Sequence, residues 1–405
     1  MEFNEFITLN IEYWNKYFKN LYTKIKKKEI NLEEGMLLYP NIMLFTETDK
    51  HFILELFGAQ RDFKGLKSKT NKKKGISTNI YLCQFDIRDH EEPFLNLADT
   101  RGSHFRNLWL SREIDYESLN KRFIFRDIWP TKLIQKSEKN GSLFAFGENF
   151  RSCYIDNCII VNRLEEIYRI KYVLHLTIIG KSFSKCEYLK DISRNLESPL
   201  ETSDDLTGIH YIKNESEEDH MLAGQFANLF LVPGLRETTI GDFLEKNPDF
   251  LRRAFRTLSC RDVLYQKELK WIEGNPYPEK SIKPDLLFER NDGCFDIGDL
   301  KTPLLDKGKI TKSDHRRRRF TDDVNEGVAQ LANYREYFSF QKNRAYAESK
   351  YGIKVSEPKL ILIVGSYENV IQNEVNEASR TLPLNCMVID YDTLNLMYLS
   401  SFDAR

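Results

Sequence analysis

The stretch SIKPDLLFERNDGCFDIGDLKTP, residues 281–303, decides the fold of the second half of the chain. Residues 286–288 form an apolar, strand-like run, and Asn-Asp-Gly at 291–293 is a strong turn signal. A second run with strand character begins at Cys294. The pattern therefore predicts two adjacent antiparallel strands joined by a tight turn.

Three charged residues of this hairpin are predicted to share one pocket. Side chains alternate across a strand, so Asp299 and Lys301 project from the same face, while Leu300 points to the other side. Asp285 stands at the start of the partner strand, and the turn brings it alongside the end of the second strand. Two carboxylates and one ammonium group are therefore expected to converge.

This set of groups predicts a hard metal ion and phosphodiester chemistry. Carboxylate oxygens without neighbouring His or Cys suit Mg²⁺, or Mn²⁺, better than zinc, so Asp285 and Asp299 are the expected ligands. A divalent ion at this place polarises a phosphoryl oxygen and lowers the pKa of a bound water. Lys301 would orient that water or neutralise the charge that develops on the phosphate in the transition state.

At these residues the sequence resembles the PD-(D/E)xK nuclease superfamily. Pro284 and Asp285 match the first half of the motif, and residues 299–301, Asp-Leu-Lys, match the second half. Downstream, QLANY at residues 330–334 is similar to the Gln-Leu-x-x-Tyr signature that follows the catalytic lysine in nucleases fused to recombination helicases. Its Gln and Tyr are one helical turn apart and so lie on one face of a helix.

Residues 237–251, ETTIGDFLEKNPDFL, resemble the opening helix of the Shedu anti-phage nuclease domain. The resemblance covers roughly residues 225 to 405 and rests on four ordered blocks: this helix, the Pro-Asp strand, the Asp-x-Lys strand and the Gln-Leu-x-x-Tyr helix. One departure is Asp299, where Glu is commoner in the superfamily. The shorter reach of Asp could shift the metal preference of the site.

The resemblance implies a metal-dependent DNA endonuclease of bacterial anti-phage defence. It implies that the Leu300 carbonyl is a further metal ligand and that Gln330 orients Lys301 or the phosphate. Glu237, at the front of the opening helix, could reach the metal pocket, although an acid that favours the helix dipole explains this residue equally well. DNA as a partner and a homo-oligomer, with a tetramer among the options, follow from the same resemblance.

Two other functions stay open. One is a catalytically silent module that keeps the nuclease scaffold for DNA binding or assembly. The other is a conventional nuclease of restriction or repair. The chain has neither a helicase phosphate loop nor a methyltransferase motif, which favours a stand-alone protein that combines a sensor with a nuclease.

The 405 residues are enough for two domains. Residues 186–220 turn polar and acidic, which predicts a boundary there. We therefore expect a β-rich sensing or regulatory domain at residues 1–220. Residues 221–405 are expected to form a nuclease domain of α/β class with α+β character, whose mixed sheet is flanked by helices as in restriction endonucleases.

Several further elements follow from periodicity. The uninterrupted apolar run 359–365 predicts a central strand covered on both faces. The remaining assignments are a helix within residues 1–30, strands at 36–87 and 157–180, a strand at 263–272, helices at 322–340 and 373–379, and a strand at 386–390. His175 lies within an apolar alternation and is expected in the core.

Sixty basic and 61 acidic residues give a net charge of -1, so affinity for nucleic acid must come from local patches. Two basic runs are candidates for DNA contact, and both are also explained as solvated charge. One follows the catalytic lysine, and the other lies in a glycine-bounded stretch, 61–75, that is expected to be a flexible loop. The residues concerned are Arg316, Arg317, Arg318 and Arg319, and Lys72, Lys73 and Lys74.

The seven cysteines are odd in number and lack the Cys-x-x-Cys spacing of a zinc site. The first eighteen residues are acidic and aromatic, without the pattern of an export signal, and no apolar run approaches membrane-spanning length. These features predict a reduced, cytoplasmic protein without a membrane partner.

Overall fold

The computed structural model describes residues 1–58, 60–73, 75–83, 103–111, 113–123, 132–133, 151–164, 167–274, 280–314 and 317–402. The chain divides into two compact units, Met1–Pro233 and Gly234–Arg405. This division lies later than the boundary expected at residue 220. The helix that begins at Glu215 belongs to the first unit, because Gln225 and Asn228 both donate hydrogen bonds to the carbonyl of Tyr172.

The first unit is built on a seven-stranded sheet in the order β4-β2-β3-β8-β7-β5-β6, and β1 and β9 pair separately. Its helices are α1 (Phe3–Lys26), α2 (Thr78–Cys83), α3 (Glu113–Phe123), α4 (Lys185–Leu196) and α5 (Glu215–Phe230). Its strands are β1 (Met36–Leu38), β2 (Ile42–Glu47), β3 (His51–Phe57), β4 (Lys67–Lys72), β5 (Ser103–Leu110), β6 (Lys132–Leu133), β7 (Ser152–Leu164), β8 (Ile167–Gly180) and β9 (His210–Ile212).

Helix α1 confirms the helix expected within residues 1–30, and its apolar face packs on the sheet. Phe6 stacks on Phe52 of β3 and meets Phe45 of β2 edge-on. His175 is buried, with hydrogen bonds to Asp156 and Thr177, as the sequence predicts.

Two assignments in this unit were wrong. Residues 80–83 were expected as part of a strand but lie in α2. In this helix the Tyr81 hydroxyl donates a hydrogen bond to Glu55 of β3. Residues 84–87 lie outside the described part of the chain. The stretch 61–75, expected as a loop, contains β4, which pairs in parallel with β2. A polar strand is suited to a sheet edge, because lysines there discourage pairing with other chains.

The second unit contains one five-stranded mixed sheet in the order β10-β13-β14-β17-β18. Its first three strands are antiparallel, and β17 and β18 continue it in parallel. The helices are α6 (Glu237–Lys246), α7 (Pro248–Ala254), α8 (Asp322–Tyr337), α9 (Gln341–Tyr351), α10 (Gln372–Ala378) and α11 (Tyr391–Ser400). The strands are β10 (Cys260–Tyr265), β11 (Leu269–Lys270), β12 (Ser281–Ile282), β13 (Leu286–Arg290), β14 (Phe295–Leu300), β15 (Thr311–Asp314), β16 (Arg317–Phe320), β17 (Leu360–Ile363) and β18 (Cys386–Ile389).

The predicted hairpin is present as β13 and β14. Leu286 faces Gly298 across the pair, and Gly293 in the turn has φ +77°, a left-handed conformation that glycine adopts without steric cost. The predicted central strand is also confirmed, since all four residues of β17 are buried between β14 and β18.

Other assignments in this unit need correction. The single strand expected at 263–272 is interrupted, because Gln266 turns the chain with φ +49° and β11 pairs with β12 in a separate ribbon. In the basic segment 308–320, β15 and β16 form a two-stranded ribbon. Helices α9 and α11 were not anticipated. None of the described helices is long and apolar enough to cross a membrane.

Candidate active site

The structure brings Asp285, Asp299 and Lys301 together at one end of the β13–β14 hairpin. The Nζ atom of Lys301 lies 2.7 Å from Oδ2 of Asp299. Oδ2 of Asp285 accepts a hydrogen bond of 3.0 Å from the amide of Leu300. Asp299 is fully buried, whereas 17% of the Lys301 side chain remains accessible to solvent. The acid is thus buried, while the lysine beside it remains partly accessible to solvent.

Backbone contacts from two directions hold this arrangement in place. The amide of Gln266, at the end of β10, donates to the carbonyl of Asp285 at 3.0 Å. The amide of Lys301 donates to the carbonyl of Ile363 in β17 at 2.9 Å. The acid that precedes β13 and the lysine that follows β14 are therefore each fixed by a neighbouring strand.

The charges in the pocket influence one another strongly. Burial raises the pKa of Asp299, and the negative charge of Asp285 raises it further against the effect of Lys301. Burial alone would lower the pKa of Lys301, but Asp299, Glu237 and Asp285 raise it overall. Lys301 is therefore an ammonium ion at neutral pH and acts in the site as a positive charge.

Gln330 and Tyr334 direct the lysine from helix α8. Nζ of Lys301 donates to Oε1 of Gln330 at 2.7 Å, and Nε2 of Gln330 lies 2.5 Å from the hydroxyl of Tyr334. That hydroxyl in turn donates to the carbonyl of Lys283 at 3.3 Å. The two residues singled out for their helical spacing are therefore consecutive members of one hydrogen-bonded chain.

Glu237 and Leu300 complete the set of predicted residues. Glu237 is the first residue of α6 and is half-buried. Burial raises the pKa of its carboxyl group, Lys301 lowers it and Asp285 raises it again, which places Glu237 in the field of the same pocket. The amide of Leu300 points to Asp285, and in an extended strand the carbonyl of the same residue points to the same side.

Three residues of the site were missed by sequence reasoning. Gln266 holds the backbone of Asp285, as described above. The hydroxyl of Tyr391, at the start of α11, donates to the carbonyl of Lys301 at 2.6 Å. A Cβ atom on Gly327 of α8 would lie 3.3 Å from Cε of Lys301. Only Gly327 had a sequence signal, because it precedes Gln330 by one helical turn.

The donor atoms of the pocket fit a hard divalent cation. Oδ1 of Asp299 is buried and receives no hydrogen bond from any residue that the structure describes. No three His, Cys, Asp or Glu side chains within the described ranges lie close enough to hold a metal ion by themselves. Mg²⁺ does not require such a cluster, because it is usually bound by one or two carboxylates together with waters and substrate phosphates. Asp285, Asp299 and the Leu300 carbonyl are a suitable donor set for it.

The run of arginines does not form a single patch. Arg316 lies outside the described residues, and the other three belong to β16. Arg318 points to α10, where its Nη2 atom lies 3.2 Å from Oε1 of Glu374. Because side chains alternate along a strand, Arg317 and Arg319 face the opposite way, and both are exposed.

The lysines proposed for DNA contact in the first unit lie at an edge strand. Lys72 ends β4 and is exposed, with its Nζ atom 5.9 Å from the centre of the Phe3 ring. Lys73 is partly exposed, and its amide donates to the carbonyl of Glu47 at 2.8 Å. Lys74 lies outside the described residues.

Comparison with known protein families gives a match within the second unit. Residues 234–394 match the family model described as Shedu protein SduA, C-terminal. The matched span includes the hairpin, helix α8 and the opening helix α6. No curated protein matches the chain. Over residues 234–394 the second unit is therefore similar to the C-terminal domain of the Shedu family.

Proposed function

We propose that the second unit is a metal-dependent DNA endonuclease of a bacterial anti-phage defence system. The observation that carries this proposal is the buried carboxylate of Asp299, which lies 2.7 Å from Lys301 and has one oxygen without a hydrogen bond from any described residue. A buried charged oxygen without a partner is costly, so it is expected where a ligand completes the site. The similarity of residues 234–394 to the Shedu family supports the role in defence.

The topology around the site supports nuclease chemistry. An antiparallel hairpin is followed in the sheet by a parallel strand, and the two acids lie at one end of these strands. A mixed sheet of this kind is what the resemblance to the PD-(D/E)xK superfamily implies. A helix crosses between β14 and β17 and contributes Gln330, as the same resemblance implies.

Asp285, Asp299 and the Leu300 carbonyl would hold Mg²⁺ or Mn²⁺. When bound, the ion activates the phosphate as a Lewis acid and lowers the pKa of an attacking water. Lys301 supplies a positive charge next to this position, and Gln330 fixes the direction of its ammonium group. The charge stabilises the extra negative charge that the phosphate carries when water attacks phosphorus and the bond to the leaving oxygen breaks.

Glu237 has a secondary role in the proposal. Its carboxyl group lies within the field of Lys301 and Asp285, and its raised pKa reflects a partly buried site. We infer that its carboxyl group would contribute to the metal site when the ion is bound. Glu237 is the first residue of α6.

DNA binding would use the outward face of the ribbon. Arg317 and Arg319 are exposed on β16, where they can approach backbone phosphates, whereas Arg318 contacts Glu374. In the first unit, Lys72 and Lys73 are proposed as a second contact with nucleic acid, through which that unit senses DNA or restrains the nuclease. Alanine at both lysines with unchanged DNA affinity and cleavage would remove this second role.

Assembly into a homo-oligomer, with a tetramer among the options, is also part of the proposal and is supported by the family resemblance. Light scattering of the purified chain gives the mass directly. A monomer at micromolar concentration would remove this part of the proposal without affecting the nuclease chemistry.

The deciding experiment compares the wild type with Lys301→Ala and Asp299→Asn on supercoiled and linear DNA. Each protein is tested with Mg²⁺, with Mn²⁺ and with EDTA. We expect cleavage by the wild type only, and only with metal, because each variant removes one essential charge. Lys307→Ala is the matched control. This lysine is exposed, and its Nζ atom lies 3.9 Å from Oδ2 of Asp323, so its ion pair is weak.

The catalytically silent alternative predicts a different outcome of this experiment. If the wild type binds DNA but cleaves none with either metal, the domain is a binding or assembly module. Equal cleavage by the wild type and Lys301→Ala would contradict the proposed site. The activity would then come from other residues or from a contaminating nuclease.

A further inference from the structure

The strand ladder beside Lys301 breaks off one step after the lysine. The Lys301 amide donates to the carbonyl of Ile363, as expected for parallel strands. In a continued ladder the amide of Gly365 would next donate to the carbonyl of Lys301. Instead, Gly365 has φ +84°, and its amide lies 3.5 Å from the carbonyl of Thr302. The Lys301 carbonyl therefore lacks its ladder donor.

Tyr391 supplies a donor at this place. Its hydroxyl lies 2.6 Å from the Lys301 carbonyl, and its own amide donates to the carbonyl of Gly365 at 3.1 Å. The Tyr391 side chain is fully buried, and Asp390 caps the helix that begins with it. One residue thus connects the ends of the two strands on which the site is built.

The surroundings of the hydroxyl keep it a donor. Burial raises the pKa of Tyr391 well above its ordinary value, and the charges of Glu237, Asp285 and Asp299 raise it further. The hydroxyl therefore stays protonated at neutral pH. The hydroxyl therefore lies in the electrostatic field of the same three acids that act on Lys301.

We propose that Tyr391 is a positioning residue of the candidate active site: its hydroxyl replaces the missing ladder donor, fixes the peptide of Lys301 and so directs the Lys301 ammonium and the Leu300 carbonyl. Its effect on catalysis rests on the proposed nuclease function, but its effect on the geometry of Lys301 does not. Displacement of a catalytic group by about 1 Å lowers rates by about a hundredfold, so a single fixed peptide matters for turnover.

The test compares Tyr391→Phe with Tyr337→Phe. The Tyr337 hydroxyl is a matched control, because it also donates to a backbone carbonyl in the second unit, that of Lys270 at 2.9 Å. Both variants lose a hydrogen bond of the same kind and are expected to melt at similar temperatures. We expect only Tyr391→Phe to lower the single-turnover rate of DNA cleavage, by about tenfold to a hundredfold, with unchanged DNA affinity.

A second readout does not depend on activity. The purified full-length chain is treated briefly with an amine-reactive acetylating ester, and modification of Lys301 is quantified by peptide mass spectrometry. We expect faster acetylation of Lys301 in Tyr391→Phe, because the lysine becomes more mobile, and an unchanged rate in Tyr337→Phe. Modification of exposed Lys307 serves as the internal reference in every sample.

The outcomes separate this inference from the proposed function. If the wild type cleaves no DNA, the nuclease proposal fails, and the acetylation rates still decide whether Tyr391 positions Lys301. Equal acetylation of Lys301 in both variants overturns the inference. It is also overturned if Tyr391→Phe melts far below Tyr337→Phe, since the hydroxyl would then be needed for the fold as a whole.

Discussion

The ammonium group of Lys301 donates a hydrogen bond of 2.7 Å to the side-chain oxygen of Gln330, which lies 29 positions further along the chain. Gln330 is itself held by the hydroxyl of Tyr334. Lys301 therefore has a neutral acceptor in addition to the Asp299 carboxylate. This acceptor would keep the direction of the ammonium group if a metal ion drew the acid away.

Gln330→Ala should lower cleavage while DNA binding stays unchanged. A hydrogen bond to a charged group contributes about 1.5–3 kcal/mol, which corresponds to a loss in rate of about tenfold to a hundredfold. Single-turnover cleavage and a binding assay without metal measure the two effects separately. Gln372→Ala, on an exposed helix surface, is the control. An equal loss of DNA affinity and rate would mean that Gln330 binds the substrate and does not direct Lys301.

Gly327→Ala should disturb both packing and the lysine. The added methyl group would lie 2.7 Å from Cδ1 of Leu362, which is fully buried, and 3.3 Å from Cε of Lys301. We expect the free energy of unfolding to fall by about 1–3 kcal/mol, as for other overpacked cores, and cleavage to fall with it. Urea unfolding measures the first effect. Gly308→Ala is the control, because a Cβ atom there meets nothing within 4 Å.

Arg317→Ala and Arg318→Ala should have different effects. Removal of the exposed Arg317 is expected to weaken DNA binding and reduce the slope of log K against log salt by about one, with unchanged stability. Removal of Arg318 breaks the ion pair with Glu374 and should mainly lower the melting temperature. Binding titrations at several salt concentrations distinguish the two. If both variants lose the same salt dependence, the ribbon does not have two separate faces.

The first unit should lose stability in mild acid through His51. Burial, helped by the charges of Lys50 and Lys181, lowers the pKa of His51 from 6.5 to about 4. Below pH 6.5 the unfolded chain takes up a proton that the folded chain does not. The contribution of neutral His51 to the stability of the first unit is therefore complete above pH 6.5 and is lost as the pH falls toward 4.

Thermal unfolding of the full chain measures this effect. Between pH 7 and pH 5 the free energy of unfolding of the wild type should fall by on the order of 2 kcal/mol more than that of His51→Gln. Between pH 7 and pH 8 the difference in the free energy of unfolding between the two proteins should stay constant, which is the internal control. A difference that does not change between pH 7 and pH 5 would mean that His51 is protonated in the folded chain.

The sequence by itself determined the hairpin and the meeting of its charged groups. A strand has a period of two residues and the turn at 291–293 has a local signature, so the positions of Asp285, Asp299 and Lys301 follow without any long-range contact. The spacing of Gln330 and Tyr334 on one helix face is local in the same way.

Only the tertiary structure decided which other groups reach the pocket. Tyr391 meets Lys301 across 90 positions, and Gln266 meets Asp285 only because β10 pairs with β13. The ion pair of Arg318 depends on where Glu374 lies. A sequence pattern fixes the side of a strand or helix on which a residue lies, but the partner on that side is chosen by packing between elements that are distant in the chain.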